Sequence, residues 1–172
     1  LPFTAIRPAF VQPCSPVDAA RPPQGPDWLH DPSWDGYRII VVKNGGDVRL
    51  YAKNAMEYGK RLPRLIDWFA NLPARTAVID GELCCIDAAG QADFSKLRAE
   101  LRCRWPNEAH LMLIAFDLLH RDGLDLRHLA LSERKAHLDK LCRGAKVVPF
   151  IRQVQAFPDG AALLEHCSSH RF

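Results

Sequence analysis

Three short stretches hold the residues that could do chemistry. The first is Asp31-Pro32-Ser33-Trp34-Asp35-Gly36-Tyr37-Arg38, which runs straight into the apolar Ile39-Ile40-Val41-Val42. A turn carrying Asp, Gly and Arg that feeds a strand builds sites for phosphorylated ligands, because arginine offers the bidentate fork that suits phosphate. The second is Asp80-Gly81-Glu82, an acidic pair around a glycine inside a strand-like run. Carboxylates are depleted in strands and glycine weakens them, so such a pair suits a metal or a sugar hydroxyl. The third is Phe116-Asp117, at the end of the apolar run Leu113-Ile114-Ala115. Each has a plain structural reading beside the chemical one. Asp35-Gly36 alone is a turn signal, Asp117 alone a structurally paired carboxylate, and Phe116 alone a core ring.

The elements that must position these residues can be read from pattern. Residues 1–27 hold seven of the 13 prolines and read as an extended arm, whose Phe3, Ile6, Phe10 and Val11 could pack on the domain 28–172 behind it. Trp28-Leu29-His30 enters a short strand. Tyr37 to Lys43 and Asp47 to Ala52 are β-rich and joined by Asn44-Gly45-Gly46, the composition of a tight hairpin. Glu57 to Asn71 has helical spacing, with Pro63 near its start or kinking it, and Pro73 stops it. Thr76 to Asp87 is a strand, ended by a turn over Ala88 to Gln91. Asp93 can cap a helix to about Arg102. Leu111 to His120 has the pattern of a strand buried on both faces. Ser132 to Arg143 reads as an amphipathic helix capped by Ser132, Val147 to Val154 as a strand, and Gly160 to about Ser168 as a helix capped by Asp159. Strands and helices mix without βα alternation, which predicts an α+β class with antiparallel β-sheets packed with helices.

The chain has 172 residues, 48% of them hydrophobic and 25% charged, which suits one soluble domain. An excess of three positive charges permits nucleic-acid contact without arguing for it. The six cysteines contain no Cys-x-x-Cys pair and the seven histidines no ligand spacing, so the reading is free thiols in a reducing cytoplasm rather than structural zinc. No apolar run reaches the roughly 18 residues of a membrane span. The absence of an initiator Met suggests a piece of a longer protein.

In combination the stretches say more. Ser33-Trp34-Asp35-Gly36-Tyr37-Arg38, Lys53-Asn54, Asp80-Gly81-Glu82 and Phe116-Asp117 come in the order and at the separations of motifs I, Ia, III and IIIa, and together they resemble ATP-dependent DNA ligases. Trp28-Leu29-His30, Val48-Arg49-Leu50-Tyr51 and Leu131-Ser132-Glu133-Arg134-Lys135 are similar to the bacterial multifunctional end-joining ligases. The resemblance covers about residues 28–172. It implies an ATP-grasp-like nucleotidyltransferase fold, here truncated, with ATP and Mg²⁺ as cofactors and nicked or broken DNA as partner. It also implies a monomer in the bacterial cytoplasm, near the nucleoid. In the family a lysine attacks the α-phosphorus of ATP, the adenylate passes to a DNA 5′-phosphate, and the 3′-hydroxyl displaces AMP. By position, Asp35, Arg38 and Glu82 fall on catalytic places. Arg38 resembles the arginine that contacts ribose and phosphate, and Glu82 the acid that contacts ribose or metal. Phe116 resembles the aromatic that stacks on adenine, Lys53 stands for the motif Ia arginine, and Asp31 and Pro32 lie where backbone meets the adenine edge.

The chain departs from that pattern at Ser33, which occupies the place of the nucleophilic lysine. A hydroxyl directly after Cβ stops several ångströms short of where a lysine amine reaches, and is a weak nucleophile without an adjacent base. The motif IV and motif V stretches, and the oligonucleotide-binding domain of the family, do not follow before Phe172. The expectation is therefore an incomplete adenylation domain, a fragment or a decayed remnant, that does not self-adenylate. The rival is a pseudo-ligase module holding nucleotide or DNA ends without chemistry. An RNA ligase or capping guanylyltransferase fits the Trp and Tyr context around Ser33 less well.

Overall fold

The computed structural model describes residues 7–144 and 151–170, with only the backbone described at His170. Phe3, Ile6 and the first half of the strand expected over 147–154 lie outside the described residues. The β-branched run after Gly36 forms β1 (Tyr37–Asn44), which turns back into β2 (Asp47–Ala52) with Asn44 opposite Asp47. Only Gly45 of the two loop glycines takes positive φ, at 61°. The other edge of β1 pairs antiparallel with β3 (Thr76–Cys85), β3 with β4 (Leu111–Arg121), and β4 with the short β5 (Leu124–Asp125). The strand order is β2-β1-β3-β4-β5 in one six-stranded sheet. The last strand, β6 (Ile151–Gln153), pairs with Leu113–Ala115 of β4 in parallel, the one exception to an otherwise antiparallel sheet among the described strands.

Alternation gives the sheet two faces with different jobs. Ile39 and Val41 of β1, Ala77, Ile79 and Leu83 of β3, and Leu111, Leu113, Ala115 and Leu118 of β4 form the main core. Three helices close it with residues at helical spacing: Leu65 and Phe69 of α1 (Pro63–Ala70), Leu97 and Leu101 of α2 (Phe94–Arg102), and Leu138 and Leu141 of α3 (Leu131–Gly144). Each such buried side chain contributes roughly 1.5–3 kcal/mol by leaving water. The opposite face carries Ile40, Val42, Val78 and Leu119, covered by Phe10 and Val11 of an arm that forms no helix or strand over residues 7–27. Phe10 stands 5.4 Å from the Tyr51 ring, and Gln12 Nε2 donates to the Lys53 carbonyl at 2.9 Å. A last helix, α4 (Gly160–His170), is capped as expected by Asp159, whose carboxylate accepts from the Ala161 and Ala162 N–H groups.

Two helix expectations need correction. The segment Glu57 to Asn71 is two pieces, a 3₁₀ turn over Gly59–Arg61 and then α1. Pro63 has no N–H to donate, so it suits a first helical position rather than an interior one. The carboxylate of buried Glu108 then accepts from the Arg64 and Leu65 N–H groups, fixing the start. Helix α3 begins at Leu131 rather than being capped by Ser132. Its Glu133 reaches back to the Ala130 N–H at 3.1 Å, the acidic half of a capping box.

Candidate active site

The loop bearing Ser33 is tied down from both sides. His30 and Phe157 exchange backbone hydrogen bonds, His30 N donating at 3.0 Å and Phe157 N at 2.7 Å. Asp31 accepts from Lys135 Nζ at 2.7 Å, across 104 residues of sequence. Trp34 packs on the buried cluster of Cys84, Ile114 and Val154, on which Phe116 also packs. At Gly36 the chain touches β3 so closely that a Cβ would stand 2.3 Å from the Leu83 carbonyl oxygen and 2.9 Å from Glu82 Cγ. Backbone cannot yield there as a side-chain end would. Gly36→Ala is expected to cost about 1–3 kcal/mol in urea unfolding by forcing the loop off the strand.

Arg38 follows on β1, opposite Glu82 in the ladder. Its guanidinium does not pair with that partner but with the diagonal one: Nε donates to Asp80 Oδ1 at 2.6 Å and Nη2 to Asp80 Oδ2 at 2.7 Å. The Asp80 side chain is 6% exposed and that of Arg38 28%. Burial pushes the Asp80 carboxyl up, and the Arg38 fork holds it back. The guanidinium carbon also lies 4.5 Å from the centroid of the Phe116 ring. Phe116 is aimed by a β-bulge. Ala115 pairs with Gly81 and Asp117 with Asp80, which leaves Phe116 the extra residue between them. Asp117 in turn is forked by Arg134 of α3, Nε and Nη2 each donating at 2.8 Å.

Glu82 completes the patch. Burial pushes its carboxyl up to about 7, Arg38 and Lys53 pull it down, and the negative charges of Asp80 and Asp35 push it further. A half-buried carboxylate among two cations and two other acids is one that an incoming divalent cation would relieve. No group of three or more ligating side chains able to hold a metal occurs among the described residues. Mg²⁺ is usually held by one or two carboxylates together with substrate phosphates rather than by an all-protein cage.

Asp35, Arg38, Lys53, Glu82 and Phe116 are thus brought to one region of the sheet. Asp31 is turned to α3 by Lys135, which leaves the backbone of Asp31 and half-buried Pro32 to meet a ligand. Ser33 is exposed and makes no hydrogen bond to the described residues. The His30 ring packs against Gly160, where a Cβ would lie 2.5 Å from its Nδ1, so it is turned to α4. Arg134 and Lys135 were not given a role from sequence, and Asp80, read there as half of an acidic pair for a metal or sugar hydroxyl, is here the partner of Arg38. The diagonal reach of Arg38 to Asp80 follows from β1–β3 register, which a motif cannot state. The two α3 residues lie in a stretch legible by resemblance, but their partners depend on how α3 is rotated against the sheet. The Lys135 side chain is 8% exposed and that of Asp31 27%. Removing Asp31 strands a buried ammonium, whereas removing Lys135 leaves a carboxylate that water can reach. Asp31→Ala is therefore expected to cost about 3 kcal/mol and Lys135→Met nearer 1 kcal/mol in denaturant unfolding.

Residues 8–161 match the family model described as the ATP dependent DNA ligase domain. The chain belongs to this family. The multifunctional non-homologous end joining protein LigD of Pseudomonas aeruginosa is 37% identical to this chain over 125 residues, covering 72% of this chain and 14% of that protein. A probable DNA ligase of Rhodococcus jostii is 31% identical over 158 residues, 91% of this chain and 31% of that one. The chain thus spans less than a third of the length of these relatives. Among solved structures, mycobacterial DNA ligase D complexed with ATP and MES superposes with a TM-score of 0.64 at 25% identity, covering 83% of this chain and 44% of that one. The ligase domain of M. tuberculosis LigD does so at 0.63 and 25%. The sheet and four helices described above are those of the ligase nucleotidyltransferase domain.

Proposed function

We propose that this chain is an ATP-dependent DNA ligase adenylation domain that holds ATP on the face of Arg38, Glu82 and Phe116 and does not form the covalent adenylate. One observation carries the reading: Asp35, Arg38, Lys53, Glu82 and Phe116 converge beside a loop whose nucleophile position is Ser33. Phe116 offers a half-exposed ring for the base, backed by the Arg38 guanidinium. Lys53 is exposed and supplies a cation toward phosphate, as a point charge rather than a fork. Glu82, with phosphate oxygens of the nucleotide, would hold Mg²⁺, which when bound neutralises phosphate charge. The Asp80 and Asp117 carboxylates are each occupied by an arginine fork and position Arg38 and the Phe116 bulge instead of touching ligand. Sealing of broken DNA in repair and recombination, by a monomer in the bacterial cytoplasm at the nucleoid, belongs to the same proposal for the protein as a whole.

A second reading, a pseudo-ligase module that keeps a nucleotide or a DNA end without any step of sealing, is favoured by Ser33 and Lys53 together. The two readings share the pocket and the missing adenylate, and differ in whether the protein as a whole belongs to a sealing reaction or only holds a nucleotide or DNA end.

The pocket is tested by pH. Glu82 titrates near 7 when folded against an ordinary value of 4.5. Protonated, it cannot bind Mg²⁺, so Mg²⁺-dependent affinity for a fluorescent ATP analogue is expected to rise as pH climbs from 6 to 8. Glu82→Gln is expected to flatten that rise. The same shift has a cost to stability. Between 4.5 and 7 the folded chain holds a proton the unfolded chain has lost, so Glu82 contributes stability that is lost as pH rises through 7. An analogue that binds with no dependence on Mg²⁺, pH or Glu82 contradicts this placement.

A further inference from the structure

On the helix-covered side of the sheet, next to the start of β1, lies a cavity of about 470 Å³ that the nucleotide reading does not use. Three aromatic rings and three arginines form its walls: Tyr37, Tyr58 and Phe94, and Arg61, Arg98 and Arg102. No acidic residue lines it among the described residues. Tyr37 and Phe94 stand 5.3 Å apart at 44°, half-buried on the core edge. Arg61 is pinned by its Nη2 to the Leu101 and Cys103 carbonyls at the end of α2, which holds its charge in place without neutralising it. Arg98 and Arg102, one helical turn apart on α2, are exposed and have no ion-pair or hydrogen-bond partner among the described residues. Elsewhere the arginines Arg38, Arg127, Arg134 and Arg143 are each spent on a carboxylate.

We infer that this groove binds an unpaired DNA strand, its arginines on the phosphodiester backbone and its rings on a base. Aromatic platforms inside a cationic groove suit single strands because every base has a π-face, and they cannot be reached by bases stacked in a duplex. The groove opens on the helix-covered face, to which Tyr37 points, whereas the next residue of β1, Arg38, points to the other face with Asp80 and Phe116; Met56 at the groove's rim is 50% exposed. That the strand is DNA, rather than RNA, rests on the proposed ligase reading; the groove itself does not.

The test is fluorescence anisotropy of the whole chain with a labelled oligo-dT, read across a salt series, with an oligo-rU of equal length and a blunt DNA duplex in parallel. Arg98→Ser with Arg102→Ser is compared with Lys140→Ser plus Arg143→Ser, which removes the same charge from α3. The expected result is binding to oligo-dT that the α2 pair weakens at least tenfold and the α3 pair does not. The α2 pair should also lower the salt slope by about 1.4, two phosphate contacts' worth for a single strand. Tighter binding of the duplex, equal loss with both variant pairs, or competition by a phosphopeptide of the same charge would overturn the groove. Equal binding of oligo-rU would overturn its assignment to DNA. Calorimetry with ATP on the Arg98→Ser and Arg102→Ser variant separates the two proposals, because a failed nucleotide pocket leaves the oligonucleotide result standing.

Discussion

Incubated with ATP and Mg²⁺, the protein is expected to keep its unmodified mass, while Ser33→Lys gains one adenylyl group. The family reaction needs an amine that loses its proton, forms a bond to the α-phosphorus and expels pyrophosphate. Serine fails on reach and on chemistry. Its oxygen sits one bond beyond Cβ, and the closest imidazole in sequence, His30, is packed on Gly160. The lysine variant restores the reach, and the loop that would carry it is already fixed by Asp31–Lys135, His30–Phe157 and Gly36 on β3. Removing a covalent nucleophile costs on the order of 10⁴ to 10⁶ in rate. A contrast of that size between the two proteins is readable by intact-mass spectrometry after single turnover. An adenylyl adduct on the Ser33 protein would refute the account of the site.

The second large effect is at the Arg38–Asp80 fork. Arg38→Ala leaves a nearly inaccessible carboxylate without its cation, which costs about 3–5 kcal/mol when one member of a buried pair is removed. Since Arg38 keeps partial exposure, the lower end of that range is expected. The loss should also depend on pH in a definite direction. Burial already pushes the Asp80 carboxyl up, and without the fork only the Gly81 backbone hydrogen bond opposes it, while the charge of Asp117 adds to the rise. The folded variant then holds a proton on Asp80 that the unfolded chain releases, so the variant regains stability as pH falls and is weakest above neutrality. Replacing both residues together, Arg38→Met with Asp80→Leu, is expected to fold better than Arg38→Ala, because no buried charge is stranded. Urea denaturation of the three proteins at pH 5.5 and 8 measures all of this.

The fold was legible where local rules govern. The hairpin, the Asp93 and Asp159 caps, the buried strand of Leu111 to His120 and the α+β class follow from periodicity and turn residues. The parallel pairing of Ile151–Gln153 with Leu113–Ala115 does not, because a three-residue strand has no signature of direction. The family was legible because Asp35-Gly36, Asp80-Gly81-Glu82 and Phe116 keep their spacing. The energetics of the site were not, since they rest on tertiary register. Arg38 sits opposite Glu82 yet pairs with Asp80, Phe116 points where a bulge turns it, and Asp31 is held by a lysine 104 residues away. Asp80 read from sequence as half of an acidic pair; in the structure its charge is spent on Arg38, and only Glu82 remains open to a cation.

The central claim is a pocket that binds without reacting, and a calorimetric titration of ATP·Mg²⁺ into the unsubstituted chain at pH 8, with pyrophosphate assayed in the cell afterwards, tests it most directly. The account predicts saturable one-site binding that Phe116→Ala weakens at least tenfold, with no pyrophosphate released and the ATP recovered intact. No binding heat, or a stoichiometric release of pyrophosphate, would contradict it.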